Sequence, residues 1–389
     1  MLTVTGPVIG GFLGQAAGWR WVEGLMAAFS GVMWLCLCAF LPETYAPVLL
    51  RRRAEKLSEL TGKVYRSRGD IDRGDISTAQ MLKTSLSRPW ILLFYEPIVL
   101  LCSIYMAIVY GTLYMLFAAY PIVFQEVRGW SEGIGGLAFI GVLVGMLVAV
   151  AYTFIDNLHY AKLARQTTGR LAPELRLPVG IIGSFALPIG LFWFAWTNSP
   201  SIHWMSSVAA GGPFGFGMVL VFLGIVNYMV DSYTIYAASV LAANSALRSV
   251  FGAAFPLFTT YMYHNLGIHW ASCIPAFLSV ACIPFPIIFY FYGPRIRQHC
   301  TYSAEAEAFM QRLTAKHQVE QTAPAQERER EDSSDSDGDS TDSSSENFSV
   351  SARRSRRGSQ ASRRTTATQY EENPYNIDRV NTLQSLSGR

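Results

Sequence analysis

Residues 6–18 read GPVIGGFLGQAAG and lie inside an apolar segment near the start of the chain. Their glycines recur at intervals of four residues: Gly6, Gly10, Gly14 and Gly18. A helix places residues four apart on one face. A strip without side chains lets a second helix approach closely, which is how membrane helices associate. Pro7 and Gly11 add local bendability. The stretch predicts either a specific packing motif or generic packing between membrane helices.

The composition of the whole chain also points to a membrane. Its 389 residues are 51% hydrophobic and 15% charged, whereas soluble domains carry about 25% charged residues. Of 31 Lys and Arg residues, 10 lie in residues 45–90 and 14 in residues 293–389. The six cysteines lie in or beside apolar runs, so we expect free thiols and no metal site. This composition excludes an ordinary soluble enzyme.

Hydropathy predicts an all-α membrane protein with eight apolar segments, most of them close to the about 20 residues that cross a bilayer. The segments are Leu2–Ala17, Trp21–Leu41, Ile91–Phe117, Gly133–Phe154, Leu177–Trp196, Met205–Tyr228, Ala237–Tyr263 and Trp270–Tyr292. The polar cluster around Asp231 divides the sixth segment from the seventh.

The distribution of basic residues predicts an orientation, because cytoplasmic loops carry an excess of Lys and Arg. Residues 45–90, the connection 155–177 and the tail are basic, while 197–204 and 264–269 contain no Lys or Arg. We therefore expect the basic segments to be cytoplasmic in a multi-pass protein, with the plasma membrane as the expected location.

Four regions follow from this pattern. Residues 1–44 hold two helices, 45–90 a basic cytoplasmic linker, 91–292 a six-helix half and 293–389 a cytoplasmic tail. The tail is rich in serine and charge, which predicts disorder. Arginine pairs precede Ser355 and Ser359, a pattern that suits basophilic kinases. A solvated tail without a regulatory role is the alternative.

A short internal repeat links the two ends of the apolar region. The tetrapeptide GWRW begins at Gly18 and the tetrapeptide GIHW begins at Gly267. Each follows a segment of small residues with one proline and precedes roughly 20 apolar residues, as two related halves of a transporter would. A six-segment period then implies four helices before the first one present here.

Several of these motifs together resemble one family, the fungal drug:proton antiporters of the major facilitator superfamily (multidrug or polyamine type). Residues 6–13 resemble the antiporter signature of the fifth span, with Gly6, Pro7, Gly10 and Gly11 as its residues. Similar motifs are GWRW at 18–21, LPETYAP at 41–47, EP at 96–97, YPIVF at 120–124, GLAF at 136–139, NYMVDSY at 227–233 and RSVFGAAFPLF at 248–258.

The resemblance implies a twelve-span fold of which this chain holds the fifth to twelfth spans, truncated at the N-terminus. It also implies secondary active, proton-coupled export of small drug-like or cationic compounds. The alternative is a truncated membrane fragment with a structural or regulatory role and no transport of its own.

Ionisable residues at membrane depth are the candidates for the substrate and proton pathway. We predict that Asp231, one turn after Asn227, pairs with Arg248 to hold the outward-open state; a static pair or a solvated Asp231 is the alternative. Glu96 precedes Pro97, which suits a helix cap or a site for a cation or a proton.

Aromatic residues on the third segment form a second candidate, because an aromatic wall suits flat organic cations. They are Tyr105, Tyr110, Tyr114 and Phe117; simple helix packing is the alternative. The chain contains no phosphate loop, paired catalytic carboxylates, nucleophile elbow or zinc pattern, so we expect no enzyme activity and no cofactor. The expected partners are the lipid bilayer, protons and a small molecule, and not nucleic acid.

Overall fold

The computed structural model describes residues 2–67, 69, 71, 78–166, 171–312 and 381–382. Nearly all of these residues are helical, which confirms the predicted all-α class. The helices are α1 (Leu2–Ala17), α2 (Trp19–Phe40), α3 (Ala46–Thr61), α4 (Thr78–Tyr95), α5 (Pro97–Tyr120), α6 (Glu132–Leu137), α7 (Ile140–Gln166), α8 (Leu177–Thr197), α9 (Trp204–Ser232), α10 (Ala237–Cys282), α11 (Pro284–His299) and α12 (301–312). A π-helical turn, Pro121–Val127, follows α5, and the 3-10 turns Pro173–Arg176 and Thr234–Tyr236 precede α8 and α10.

Six helical stretches in the described part of the chain are long and apolar enough to cross a membrane. They are Trp19–Phe40, Pro97–Val127, Glu132–Gln166, Pro173–Thr197, Trp204–Ser232 and Thr234–His299. The predicted first segment forms α1, whose 16 residues are fewer than the about 20 that span a bilayer. The predicted seventh and eighth segments fall together in the last stretch. The number of spans therefore stays a prediction.

The predicted third segment began too early. Ile91 belongs to α4, and the chain turns at Glu96, which has the extended dihedrals φ −104° and ψ 105°. Pro97 then begins α5, because proline lacks the N–H that the first helical turn leaves unbonded.

The two glycines of the predicted repeat both have a positive φ. Gly18 has φ 84° between α1 and α2, and Gly267 has φ 77° and ψ 161° inside α10. Side-chain-bearing residues rarely adopt positive φ, so glycine is the residue that allows the chain to change direction there. In each half of the repeat, a glycine with positive φ thus precedes the apolar segment.

Polar contacts at one end of the helices define what we call the charged end, formed by Glu96, Glu174, Asp231 and Arg297. At the opposite end, Arg128 donates hydrogen bonds to the carbonyl oxygens of Ser199 (2.7 Å) and Ile202 (3.0 Å). The turn Pro173–Arg176 before α8 and the residues after α11 lie at the charged end. The side of the membrane on which each connection lies stays a prediction.

The start of the predicted disordered tail is folded, which corrects that prediction. The helix α11 continues to His299, and residues 301–312 form α12. Buried residues anchor this segment: Cys300 is 3% exposed and Ser303 is fully buried. The proposed kinase sites Ser355 and Ser359 lie outside the described residues.

Packing divides the chain into two compact units. The first consists of residues 1–32 and 82–311 and contains the residues discussed below as candidate sites. The second consists of residues 33–81 and 312–389. Within the second unit, strand β1 (Tyr65–Arg66) pairs antiparallel with strand β2 (Asn381–Thr382).

Close backbone contacts hold the helices of the first unit together. A Cβ atom at Gly190 of α8 would clash with the backbone nitrogen of Phe214 in α9, so only glycine fits this crossing. Gly145 of α7 likewise faces the carbonyl oxygen of Gly212 in α9. Small residues at membrane-helix interfaces allow this approach, and van der Waals packing then stabilises it. The result is a rigid set of helices that positions the polar residues at its end and centre.

Candidate functional site

The charged end is held by a buried ion pair between Glu174 and Arg297. Their side chains are 8% and 10% exposed. The Arg297 Nε atom lies 2.9 Å from Glu174 Oε1, and Nη2 lies 3.3 Å from Oε2, so the guanidinium donates two bonds to one carboxylate. Arg297 Nη1 also donates to Glu307 at 3.2 Å. These bonds tie the turn before α8 to the end of α11 and to α12.

A second ion pair joins Arg176 to Asp231. The Arg176 Nε atom lies 3.4 Å from Asp231 Oδ2, and Nη1 donates to Asn157 Oδ1 at 2.9 Å. The guanidinium also covers the ring of Tyr160, 3.6 Å from its centre. Arg176 therefore connects the end of α7 with the end of α9. Its side chain is 20% exposed and that of Asp231 is 31% exposed, so solvent screens part of the attraction.

The predicted pair of Asp231 with Arg248 is wrong for this structure. Asp231 pairs with Arg176 at the charged end, whereas the guanidinium of Arg248 lies over the rings of Tyr110 and Phe222. The reason is depth along the helix. Arg248 stands 11 residues after Ala237, the first residue of α10, and at 1.5 Å per residue this is about 16 Å further from the charged end.

The structure corrects one of the two predicted roles of Glu96, the helix cap, while a role in cation or proton binding stays a prediction. It occupies the position before α5, but its carboxylate makes no hydrogen bond to that helix. Instead Glu96 Oε2 accepts a bond from the hydroxyl of Tyr233 (2.9 Å), and Oε1 accepts one from the backbone N–H of Tyr302 (2.9 Å). Glu96 is 2% exposed. A buried carboxylate with these two donors joins α5, α9 and α12, so its role here is to connect helices rather than to cap one.

Cys300 lies in the same cluster and gives a testable consequence. Burial, and then hydrogen bonding to Glu96, raise the pKa of the Cys300 thiol to about 12. At pH 8 the thiolate fraction is then roughly one in ten thousand, and it rises about tenfold per pH unit. We expect iodoacetamide to alkylate Cys300 much more slowly in the folded protein than after denaturation, as measured by mass spectrometry. Equal rates in the two states would contradict this environment.

Four side chains from three helices form what we call the aromatic site: Tyr110 and Tyr114 of α5, Phe222 of α9 and Arg248 of α10. The guanidinium carbon of Arg248 lies 4.8 Å from the centre of the Tyr110 ring and 5.1 Å from that of Phe222. The Tyr110 and Tyr114 hydroxyl oxygens are 3.2 Å apart. A cation over aromatic faces is attracted by the negative charge of the ring face.

Gly252 makes room for the two tyrosine rings of the aromatic site. A Cβ atom at this position would lie 3.0 Å from Cε1 of Tyr110 and 3.4 Å from Cδ2 of Tyr114. Gly252 follows Arg248 by one helical turn, so both residues lie on the face of α10 that contacts α5. Arg248 thus supplies the positive charge of the aromatic site, and Gly252 leaves room for its two tyrosine rings.

The aromatic site lies about half-way along its helices. Tyr110 is 13 residues from the start of α5 and Phe222 is 10 residues from the end of α9. Both of these helix ends belong to the charged end. At 1.5 Å per residue the distances are about 20 Å and about 15 Å, close to the middle of a bilayer core about 30 Å thick.

Not every predicted aromatic residue belongs to this site. Tyr105 is fully buried and packs edge-on against Phe285, so it is part of the core. Phe117 contacts Tyr114 and Phe139 and extends the aromatic contacts away from Arg248. Asn227 is half-buried, and its side chain forms no hydrogen bond within the described part of the chain.

The glycine-rich stretch of α1 packs against α6, but not through the four-residue glycine strip. A Cβ atom at Gly6 would meet nothing within 4 Å, and one at Gly10 would only reach a side chain at 3.9 Å. The close approach is instead at Gly11, where a Cβ atom would lie 2.8 Å from the carbonyl oxygen of Glu132. From α6, a Cβ atom at Gly136 would lie 2.5 Å from the carbonyl oxygen of Pro7.

Sequence reasoning missed Glu174, Arg297 and Phe222. A signal existed for the first two, because Glu174 stands three residues before the apolar segment Leu177–Trp196 and Arg297 stands five residues after Trp270–Tyr292. The alternating orientation of the segments places both positions at the same end. No sequence signal separated Phe222 from the other apolar residues of α9.

Comparisons with known proteins agree on a single family. The family model described as "Major Facilitator Superfamily" matches residues 1–256 of this chain. The "MFS-type efflux pump MFS2" of Trichophyton rubrum is 61% identical over 95% of this chain and 62% of its own length. The "Major facilitator superfamily multidrug transporter mdrA" of Aspergillus fumigatus is 58% identical over 96% of this chain and 63% of its own.

A third relative is more distant. The "Efflux pump FUB11" of Gibberella moniliformis is 56% identical over 80% of this chain and 53% of its own length. The chain therefore spans between about half and two thirds of the length of these relatives.

Proposed function

This chain belongs to the Major Facilitator Superfamily, a family of multi-pass membrane transporters, and we propose that it exports small organic compounds in exchange for protons. The names of its relatives, efflux pump and multidrug transporter, support export as the direction of transport. On this proposal the chain acts in transport rather than in catalysis.

The observation that carries the proposal is the aromatic site. It combines Tyr110, Tyr114, Phe222 and Arg248 at about half the depth of the helices. Transporters of this architecture bind their substrates near the bilayer midplane. An arginine there is costly, and such residues mark substrate or ion pathways. This depth supports the proposal, because alternating access requires a site that a substrate can reach from either side in turn.

The charged end faces the cytoplasm in this proposal, because Lys162 and Arg165 near the end of α7 and Arg295 near the end of α11 give this end basic residues. In the same proposal, residues 45–90 connect 1–44 to 91–292 on the cytoplasmic side. Each basic residue near the surface is attracted to anionic lipid by about 1 kcal/mol, which supports this orientation. The tail after α12 is also cytoplasmic and is where a kinase could reach Ser355 and Ser359. We propose the plasma membrane as the location.

Asp231 is the proposed carboxylate of the proton pathway, with Arg176 as its partner. Its side chain is 31% exposed, so a proton can reach it from the aqueous phase. Protonation would remove the attraction to Arg176 and loosen the contact between the ends of α7 and α9. Glu96 is the second candidate, although its two hydrogen bonds favour a fixed connection.

Reconstitution of the purified chain in proteoliposomes tests the proposal. We suggest two probes of matched size that stay charged at every pH, naphthalene-2-sulfonate and trimethyl(naphthylmethyl)ammonium, so that neither crosses lipid as a neutral form. Vesicles at internal pH 7 are loaded with labelled probe and diluted into buffer at pH 7 or 5.5, with the membrane potential held by valinomycin and equal potassium.

Transport predicts faster release of at least one probe into the acidic buffer than into the neutral one. Protein-free vesicles give the background, and Asp231→Asn should remove the pH dependence while it leaves exchange at equal pH. Release no faster than the background for both probes would overturn the proposal and favour a non-transporting fragment.

A further inference from the structure

Arg248 has no acidic partner among the described residues, although the aromatic site that contains it lies about half-way along its helices. No carboxylate among the described residues forms an ion pair with it, and its side chain makes no hydrogen bond there. The acidic residues that face the helices from the charged end are already engaged. Asp231 pairs with Arg176, Glu174 pairs with Arg297, and Glu96 accepts from Tyr233 and Tyr302.

The N–H groups of Arg248 remain available to a ligand. The rings of Tyr110 and Phe222 contact the guanidinium as cation–π partners, and such contacts use the faces of the planar group rather than the N–H bonds at its edge. Arg248 is half-buried, and none of its nitrogen atoms is among the fully buried atoms without a partner. The edge of the guanidinium is therefore accessible and carries unsatisfied donors.

The tyrosine hydroxyls add one more donor. The Tyr110 and Tyr114 oxygens lie 3.2 Å apart, so one hydroxyl can donate to the other. The second hydroxyl proton of the pair is then free for a ligand. The aromatic site thus offers a positive charge, up to five guanidinium N–H groups, a hydroxyl donor and flat apolar surfaces, but no negative charge from the described residues.

We infer that the aromatic site binds an anionic aromatic compound, with its carboxylate or sulfonate on the edge of Arg248 and its ring against the rings of Tyr110 and Tyr114. The inference rests on the proposed transport function and names the class of substrate for it. A planar guanidinium matches the two oxygens of such an anion.

A cationic substrate, which the aromatic residues alone suggested, does not fit this arrangement. The faces of Tyr110 and Phe222 that would attract a cation already hold the guanidinium of Arg248. A second cation beside it would be repelled, and the repulsion is strong where water is excluded. An anion instead pairs with Arg248 and removes the cost of an unpaired charge at membrane depth.

Equilibrium binding of the two labelled naphthalene probes to the purified chain tests the inference. We expect naphthalene-2-sulfonate to bind at least about tenfold more tightly than trimethyl(naphthylmethyl)ammonium. The reason is that only the sulfonate can accept hydrogen bonds from the charged guanidinium of Arg248. Arg248→Gln should weaken sulfonate binding by about tenfold to a hundredfold and leave the ammonium probe unchanged or bound more tightly. Arg248→Lys keeps the charge but loses the planar edge, so it should retain part of the affinity.

Arg295→Gln is the matched control, because Arg295 is an exposed arginine at the charged end; both affinities should stay as in the natural chain. Equal binding of the two probes by the natural chain, or unchanged sulfonate binding in a folded Arg248→Gln variant, would overturn the inference. If Arg248→Gln does not fold, two measurements still test the inference: the preference of the natural chain for the sulfonate over the ammonium probe, and the sulfonate affinity of the Arg248→Lys variant. Release of the ammonium probe alone from proteoliposomes would refute the anionic substrate and leave the transport proposal standing.

Discussion

Replacing Arg297 with leucine is expected to destabilise the protein by about 3–5 kcal/mol, because the change leaves the carboxylate of Glu174 buried without its cation. Glu174 is 8% exposed and takes two of its bonds from Arg297. Water cannot replace these bonds without opening the contact between the turn Pro173–Arg176 and α11. The loss should appear as a lower thermal unfolding midpoint in mild detergent.

Arg51 provides the matched control. It also pairs with a glutamate, Glu55, with an N–O distance of 3.1 Å, but the two side chains are 67% and 60% exposed. Exposed pairs of this kind contribute about 0.3–0.5 kcal/mol, so Arg51→Leu should hardly move the midpoint. The double variant Glu174→Leu with Arg297→Leu should recover most of the loss, because no buried charge then remains unpaired. Equal effects of Arg297→Leu and Arg51→Leu would show that the buried pair is not formed.

The helices were predictable because hydropathy is a local property of the chain. Each predicted apolar segment has a helical counterpart, while the side of the membrane on which each connection lies stays a prediction. Ion pairs are different, since Glu174 and Arg297 are 123 residues apart and Arg176 and Asp231 are 55 apart. Their pairing depends on which helix ends become neighbours, and a single sequence does not contain that information.

The position of a residue along its helix was the second feature that the sequence alone did not predict. Asp231 and Arg248 both lie within a few turns of the connection between two segments, so their pairing was reasonable from spacing alone. The structure places Arg248 about three turns into α10, where aromatic rings rather than a carboxylate surround it. The rise of 1.5 Å per residue converts a number of residues into a distance along the helix. The distance of Arg248 from the charged end could be calculated only once the structure showed that α10 begins at Ala237.

The glycines of α1 show the same limit for packing. A four-residue spacing correctly identifies one helix face, yet spacing does not tell which face has a neighbour. In the described structure the neighbour is α6, and it meets Gly11 rather than Gly6 or Gly10. A hydrogen bond beside this contact, from the backbone N–H of Gly133 to Oε1 of Gln15 (3.1 Å), fixes the register of the two helices.

This contact leads to the second large effect. Gly11→Ala is expected to destabilise the protein by about 1–3 kcal/mol, because the new methyl group would lie 2.8 Å from the carbonyl oxygen of Glu132 and a backbone atom cannot move aside cheaply. Gly136→Ala should cost a similar amount, since its methyl group would lie 2.5 Å from the carbonyl oxygen of Pro7. Thermal unfolding in detergent measures both changes.

Gly6→Ala is the control within the same helix, because its Cβ atom would meet nothing within 4 Å. Alanine favours a helix over glycine by about 0.5–1 kcal/mol, so this variant should be as stable as the natural chain or slightly more stable. The double variant Gly11→Ala with Gly136→Ala should cost less than the sum of the single changes. Both methyl groups push α1 away from α6, and once one has separated the helices the other finds more room. Strictly additive losses, or an equal loss from Gly6→Ala, would mean that α1 and α6 are not in close backbone contact and that the glycine-rich stretch acts through another face.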